Sequence, residues 1–428
     1  MNSPGISSAT LPRPAAEPEA RVGPIFVLFY GLALFGLWMA VLTPVIVSMA
    51  LRIATLDPVN KATILSEVMG MGALVALFAN PICGYFSDRT TSRLGMRRPW
   101  ILGGTLVGML GLYLVATGNL TTIMIGWLLA QAGYNAVLAA VIALLPDQVP
   151  ESQRGRVSGV LGVCLPLGVL AGVTLTKYSG GVVFNMFMWP AALAALFAVL
   201  LCLLLKDRRL DPSKAAAVDL AGFSRTFLIN PRKAPDFSWA FVSRLLLFIG
   251  LAMLKTYQVF FLIDKLHVLR SDIPSHMLTA TLVLTGTTVI GSFLGGTLSD
   301  RFQARKPFVL GAALIFGIGL WICGLSNDFN QFLIGLAVGG FGEGIYLAVD
   351  MALVTAVLPN RETDAAKDLG IFNIASALPQ SLAPAIAPFF LAIGSAGGAA
   401  NNYTALFIAA GCFSALGAVA VMFIRGVR

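Results

Sequence analysis

The sequence predicts an all-α polytopic membrane protein of twelve transmembrane helices, arranged as two pseudo-symmetric six-helix bundles. Three observations carry this. First, 57% of the 428 residues are hydrophobic and 11% charged, and the mean hydropathy is +0.84; a soluble domain averages about 25% charged, so charges this sparse cannot cover an aqueous surface. Second, twelve apolar stretches reach the roughly 20 residues that a bilayer crossing needs. Third, a charged loop occurs twice. Gly84-Tyr-Phe-Ser-Asp-Arg-Thr-Thr-Ser-Arg-Leu-Gly-Met-Arg-Arg-Pro99 returns, shortened, as Gly296-Thr-Leu-Ser-Asp-Arg-Phe-Gln-Ala-Arg-Lys-Pro307, with Asp88 and Asp300 212 positions apart.

The spans fall at about 25–51, 63–86, 100–117, 120–146, 156–177, 183–205, 237–263, 277–298, 308–325, 329–357, 368–394 and 402–424. Residues 1–24, rich in Pro, Ala and Ser, lack the basic start and cleavage site of a signal peptide and read as a disordered cytoplasmic tail. Residues 25–205 form an N-terminal six-helix bundle, 206–236 a basic cytoplasmic linker suited to anionic headgroups, and 237–428 a C-terminal bundle. Prolines inside spans (Pro44, Pro81, Pro166, Pro384, Pro388) mark expected kinks.

The net charge of +9 does not point to nucleic acid, because its distribution is topological. With the N-terminus inside, the loops holding Arg89, Arg93, Arg97, Arg98, Arg154, Arg156, Arg301, Arg305 and Lys306 are all cytoplasmic, as is the linker. The outer loops hold only Arg52, Lys61, Lys177, Lys265 and Arg270. This positive-inside bias places both termini in the cytoplasm and the chain in the cytoplasmic membrane, with the lipid bilayer as its solvent. The five cysteines lack metal-type spacing and read as small core residues. Without a phosphate-binding glycine loop, the chain is expected to need no cofactor, to be no enzyme, and to take its energy from a gradient.

A second marker repeats: Leu145-Pro-Asp after the fourth span and Leu358-Pro-Asn after the tenth, 213 positions apart. The Asp-Arg…Arg-Arg/Lys-Pro loop, present in both halves, resembles the signature of the major facilitator superfamily. The resemblance covers about 25–424 and implies two bundles around a central cavity. It also implies a cytoplasmic latch, in which Asp88, Arg89, Arg93, Arg97 and Arg98, with Asp300, Arg301 and Lys306, pair with each other, with helix C-termini and across the bundles; Asp147, Glu151, Arg154 and Arg156 are candidates for the same latch. Within that superfamily, residues 87–99 and 131–147 resemble the sucrose/proton and glycoside–cation symporters. Those symporters have an aspartate, associated with proton coupling, where this chain has Gln131, which puts an N-half proton site in doubt.

Ionisable residues at mid-membrane depth are costly and mark function. Glu343 and Asp350, seven apart in the tenth span, share a face with Tyr346 between them. Lys255 lies at similar depth in the seventh span, beside Tyr257 and Gln258. The expectation is that Glu343 and/or Asp350 takes up and releases a proton, with Lys255 as the counter-charge that tunes or replaces it; a structural Lys255–Glu343 ion pair, and Asp350 as a cap of the cytoplasmic gate, are the alternatives. Gln131, Tyr134 and Asn135 form a polar face suited to hydroxylated ligands or to interhelical hydrogen bonding, with Trp38, Asn373 and Gln380 as weaker candidates. The sequence thus predicts a monomeric transporter working by alternating access on a small-molecule substrate, with proton (or sodium) coupling and sugar or glycoside as cargo. An exporter of apolar or amphipathic compounds and a non-transporting membrane assembly factor are the alternatives.

Overall fold

The computed structural model describes residues 21–207, 209–210, 234–357, 365–394 and 401–425. The tail to residue 20, most of the linker and the second Leu-Pro marker lie outside these. The described chain is helical: α1 (Pro24–Thr43), a π-helical turn (Pro44–Ser48) and α2 (Met49–Leu56) make the first span. It continues with α3 (Lys61–Ser87), α4 (Arg98–Thr117), α5 (Leu120–Gln148), α6 (Glu151–Tyr178) and α7 (Val183–Leu204). The second half runs α8 (Pro235–Asp264), α9 (Ile273–Phe302), α10 (Lys306–Leu325), α11 (Phe329–Val357), α12 (Ala365–Ala377), α13 (Pro379–Leu391) and α14 (Tyr403–Met422). Twelve spans among the described residues are long and apolar enough to cross a membrane. Large apolar side chains such as Leu106, Leu203, Phe293 and Phe389 stay exposed on the outer faces, the arrangement that lipid rather than water tolerates.

Two spans are irregular, each at a proline. Pro44 has no N–H to offer the preceding turn, and the first span absorbs this in one wide turn in which Met49 N–H donates to Pro44 O. The eleventh span breaks between Ala377 and Pro379. Pro384 and Pro388, expected as kinks, lie inside α13; the break sits at Pro379, where a proline at the first helical position starts a new segment. Pro81 and Pro166 remain inside continuous helices.

The duplication is visible in bonds as well as in sequence. In each half the third span lies backbone-to-backbone on the fourth. A Cβ on Gly104 would come within 2.6 Å of Gly133 O, and one on Gly319 within 2.8 Å of Gly335 O, so only glycine permits this approach. In each half a base at the end of the first span binds carbonyls at the C-terminal end of the third. Arg52 donates to Val115 O and Gly118 O, and Lys265 to Gly324 O. In each half a base at the start of the third span binds carbonyls at the end of the sixth: Arg98 to Leu205 O, and Lys306 to Met422 O and Ile424 O. Positive charge at a helix C-terminus meets both the free carbonyls and the dipole.

The halves meet along α3 with α13, α6 with α9, and the π turn and α2 with α8. The face carrying Asp88 and Asp300 is called the hinge face below, and the opposite one the distal face. On the hinge face the linker begins as a clamp: the Asp207 carboxylate accepts from the backbone N–H of Arg97 and of Arg98 at 2.7 and 2.8 Å, capping α4 from outside its own segment. Gly95, at φ +106°, makes room for it; a Cβ there would collide with the Asp207 carboxylate. Gly95→Ala is therefore expected to destabilise the protein by about 1–3 kcal/mol through the left-handed backbone and the lost clamp, and Asp207→Ala by about 1 kcal/mol as a lost cap. Thermal unfolding in detergent measures both.

Candidate functional site

The longest line of charge inside the membrane runs along α8, the most buried of the twelve spans. Because α8 and α11 run in opposite directions, two charges on each face one another in order. Arg244 Nη1 donates to Asp350 Oδ2 at 2.9 Å, and Lys255 Nζ lies 3.8 Å from Glu343 Oε1.

The two pairs differ in kind. Arg244 is held from several sides: Nε donates to Ser376 Oγ at 2.7 Å, and the guanidinium lies 5.3 and 4.6 Å from the ring centroids of Phe248 and Phe372. Tyr346 sits buried beside Asp350. This pair ties α8, α11 and α12 together and leaves little slack. The Lys255–Glu343 pair is longer than a hydrogen bond, and neither group forms a hydrogen bond among the described residues. The Lys255 side chain is 35% exposed and that of Glu343 8%. A buried carboxylate and an ammonium with unused donors thus face the same space. Arg244 is not among the residues expected from the sequence, although an arginine inside the apolar stretch 237–263 is a sequence signal of a functional or paired charge.

The other expected residues are spread over several surroundings. Tyr257 is fully buried, and its hydroxyl meets Ser66 Oγ of α3 at 2.5 Å, across the halves. Gln258 is buried close by in sequence. On α5, Asn135 Nδ2 donates to Gln131 O at 2.9 Å and to its side-chain Oε1 at 3.2 Å, so these two amides form one polar group, one turn apart. Tyr134 stands apart from them: a Cβ on Gly108 of α4 would meet its ring at 2.8 Å, so the ring fills the α4–α5 contact. Trp38 is half-buried, and Asn373 and Gln380 are exposed.

The hinge residues are organised within their own halves. Arg97 is the centre of the first hinge: its guanidinium bonds Asp88 at 2.6 Å, Asp147 at 2.8 Å and Ser87 Oγ at 2.8 Å. Burial alone would lower its pKa; the bonds to Asp147 and Asp88 outweigh that and raise it, so the guanidinium stays charged throughout the working range. Arg89 stacks on Tyr85, 3.5 Å from the ring centroid. Arg154 donates to Val149 O and Pro146 O at the end of α5, while Arg93 and Arg156 are exposed. The second hinge is poorer. Arg305 takes the place of Arg97 but donates to Ala352 O at 2.7 Å; Asp300 and Arg301 are exposed, and Asp300 forms no ion pair among the described residues. The counterpart of Asp147 is Asn360 in the sequence, which lies outside them. Lys61–Asp264 and Ser66–Tyr257 join the two halves, and both lie toward the distal face.

Comparison with known proteins agrees with this architecture. The arabinose-proton symporter of Bacillus subtilis (strain 168) is 35% identical over 71 residues, which are 17% of this chain and 15% of that protein. The general alpha-glucoside permease of Schizosaccharomyces pombe is 29% identical over 123 residues, 24% of this chain and 22% of that protein. The chain thus matches less than a quarter of either relative's length. Among solved structures, the xylose transporter XylE from E. coli superimposes with a TM-score of 0.66 at 14% identity, over 94% of this chain and 98% of that one, a likeness of fold. The sequence pattern of the Major Facilitator Superfamily matches residues 59–287 and 261–428, and with twelve spans in two bonded halves the chain belongs to that superfamily.

Proposed function

We propose that the protein is a proton-coupled symporter of a sugar or glycoside, working as a monomer in the cytoplasmic membrane with the hinge face inside. The observation that carries this is the Lys255–Glu343 ion pair: 3.8 Å apart, too long for a hydrogen bond, and at mid-membrane depth. A solute hydroxyl both donates and accepts, so a polyol can give a hydrogen to Glu343 and take one from Lys255. A net cation or anion would satisfy one member and be repelled by the other. The paired amides Gln131 and Asn135 supply further neutral donors and acceptors from the N-terminal half. The sugar-carrying relatives named above support the same class.

The pair also supplies a coupling rule. With Glu343 ionised, Lys255 has its counter-charge and the empty site is neutral. A proton on Glu343 leaves the ammonium uncompensated in an apolar slab, where unpaired charge is costly. Solute oxygens then stabilise that ammonium, so proton and solute each favour the other's binding; such coupling is reciprocal. Asp350 is assigned a different role, because Arg244, Ser376 and the two phenylalanines hold its partner in place. The side-chain bonds that join the halves toward the distal face support access from the hinge side in this conformation, with alternation by rocking of the halves.

In proteoliposomes, a sugar that is carried is expected to alkalinise the acidic side as it enters. Glu343→Gln should abolish uphill accumulation and leave solute counterflow intact; undiminished uphill uptake in that variant removes Glu343 from coupling. Arg244→Leu is expected to destabilise the fold by about 3–5 kcal/mol, since it leaves Asp350 buried without its partner. The double variant Arg244→Leu/Asp350→Leu should recover most of this, as thermal unfolding in detergent will read.

A further inference from the structure

We propose that Lys61, Asp264 and Tyr403, with Ser66 and Tyr257 one to two turns deeper, form the lock that seals the distal face and parts in each cycle. The role in the cycle rests on the alternating-access reading above; the lock itself is read from side chains that take no part in the proton–solute coupling proposed there. Lys61 Nζ of the first half donates to Asp264 Oδ1 of the second at 2.5 Å, with side-chain exposures of only 9% and 20%.

The two sides of the lock are unequally prepared. On the second half everything is anchored. Tyr403 Oη donates to Asp264 Oδ2 at 2.9 Å, and the neighbouring Lys265 donates to Gly324 O and Thr404 Oγ1, both at 2.6 Å. The end of α8 is thereby fixed to its own half, with one carboxylate oxygen turned outward. On the first half stands a lone lysine. It opens α3, where the helix dipole disfavours a cation and the first turn holds no acid. The Phe260 ring centroid lies 5.4 Å from its ammonium. A buried lysine at a helix N-terminus gains nothing from its own helix, and its position is explained by the carboxylate across the gap.

The second layer continues inward. Ser66 Oγ donates to Ala62 O at 2.7 Å, so the Tyr257 hydroxyl is the donor in the Ser66–Tyr257 bond. That bond lies about 7–10 Å below the first, by helical rise along α3 and α8. Two residues further along α8 is Lys255. The two contacts thus make a zipper along α3 and α8 that begins at the distal surface and ends beside the candidate site.

The test needs no solute, so its failure is distinguishable from failure of the sugar–proton reading. Spin labels at Val59→Cys and Leu269→Cys, exposed on the distal side of either half, are introduced in the full chain with its five native cysteines replaced. Their separation is measured in nanodiscs by double electron–electron resonance. The intact lock should give one short distance. Lys61→Met and Asp264→Asn should each shift the open-to-closed ratio by about tenfold, and the double variant should be no more open than either alone. Tyr403→Phe should shift it the same way by less. Distances unchanged in both single variants, or shifts that add in the double, overturn the proposal. Should Asp264→Asn fail to fold, Lys61→Arg is compared with Lys61→Met: the lock requires Arg to keep the closed distance and Met to lose it, and equal behaviour overturns it.

Discussion

A charge inside an apolar slab must meet its opposite, and this constraint organises the protein along α8. Arg244, Lys255 and Asp264 each face a partner on another helix: Asp350, Glu343 and Lys61. The three contacts lie at successive depths, and they differ in tightness. The innermost to the hinge face is bonded from several sides, the middle one is slack, and the distal one crosses between the halves. A single helix therefore carries one tightly held pair, one pair with unused polar capacity, and one contact that crosses between the halves. Helix packing alone cannot provide such a gradation, because dispersion contacts among leucines and alanines have no preferred partner.

The duplication has been kept where it serves the fold and altered elsewhere. Bases that cap helix C-termini occur in both halves at matching places: Arg52 with Lys265, and Arg98 with Lys306. These bonds answer a need that any helix end has in a membrane, so both copies retain them. The acids are distributed unequally. Asp147 completes the Arg97 cluster in the first hinge, whereas the matching position in the second is Asn360. The position matching Asp264 in the first half is Leu51, and the positions matching Glu343 and Asp350, offset by 213, are Ala130 and Val137. At the positions matching Glu343 and Asp350 the first half thus carries no acid, and the neighbouring Gln131 and Asn135 are amides. A pseudo-symmetric scaffold with an asymmetric charge pattern can rock as a symmetric body and still bind its cargo in one orientation.

The clamp by Asp207 joins the linker to this scheme. Its carboxylate caps α4 at the hinge loop, while Arg98 of the same loop holds the end of α7. The start of the linker therefore moves with the first hinge, and the connection between the halves leaves from a rigid point. The basic composition of the segment, read as a lipid-facing surface, gives no sign that Asp207 is the acid that binds the hinge.

Twelve spans, their order and the twofold repeat were legible in the sequence, because they depend on local quantities: the length of apolar runs, the sign of loop charges, and a loop that occurs twice. Glu343, Asp350 and Lys255 stood out for the same reason, as isolated charges in apolar stretches. Partnership was not legible. Asp350 faces Arg244 and not Lys255, Tyr134 turns away from Gln131 and Asn135, and Lys61 reads as an ordinary loop base until Asp264 is placed against it. Nor did composition show that the eleventh span breaks at Pro379 while Pro384 and Pro388 ride inside a helix. Which charges meet depends on the relative rotation and depth of helices far apart in the chain, and that is set by glycine-lined backbone contacts and by the direction in which neighbouring spans run. The cost of isolating a charge is a local property that one residue reveals; its compensation is a distance between two, and only the packed bundle supplies it.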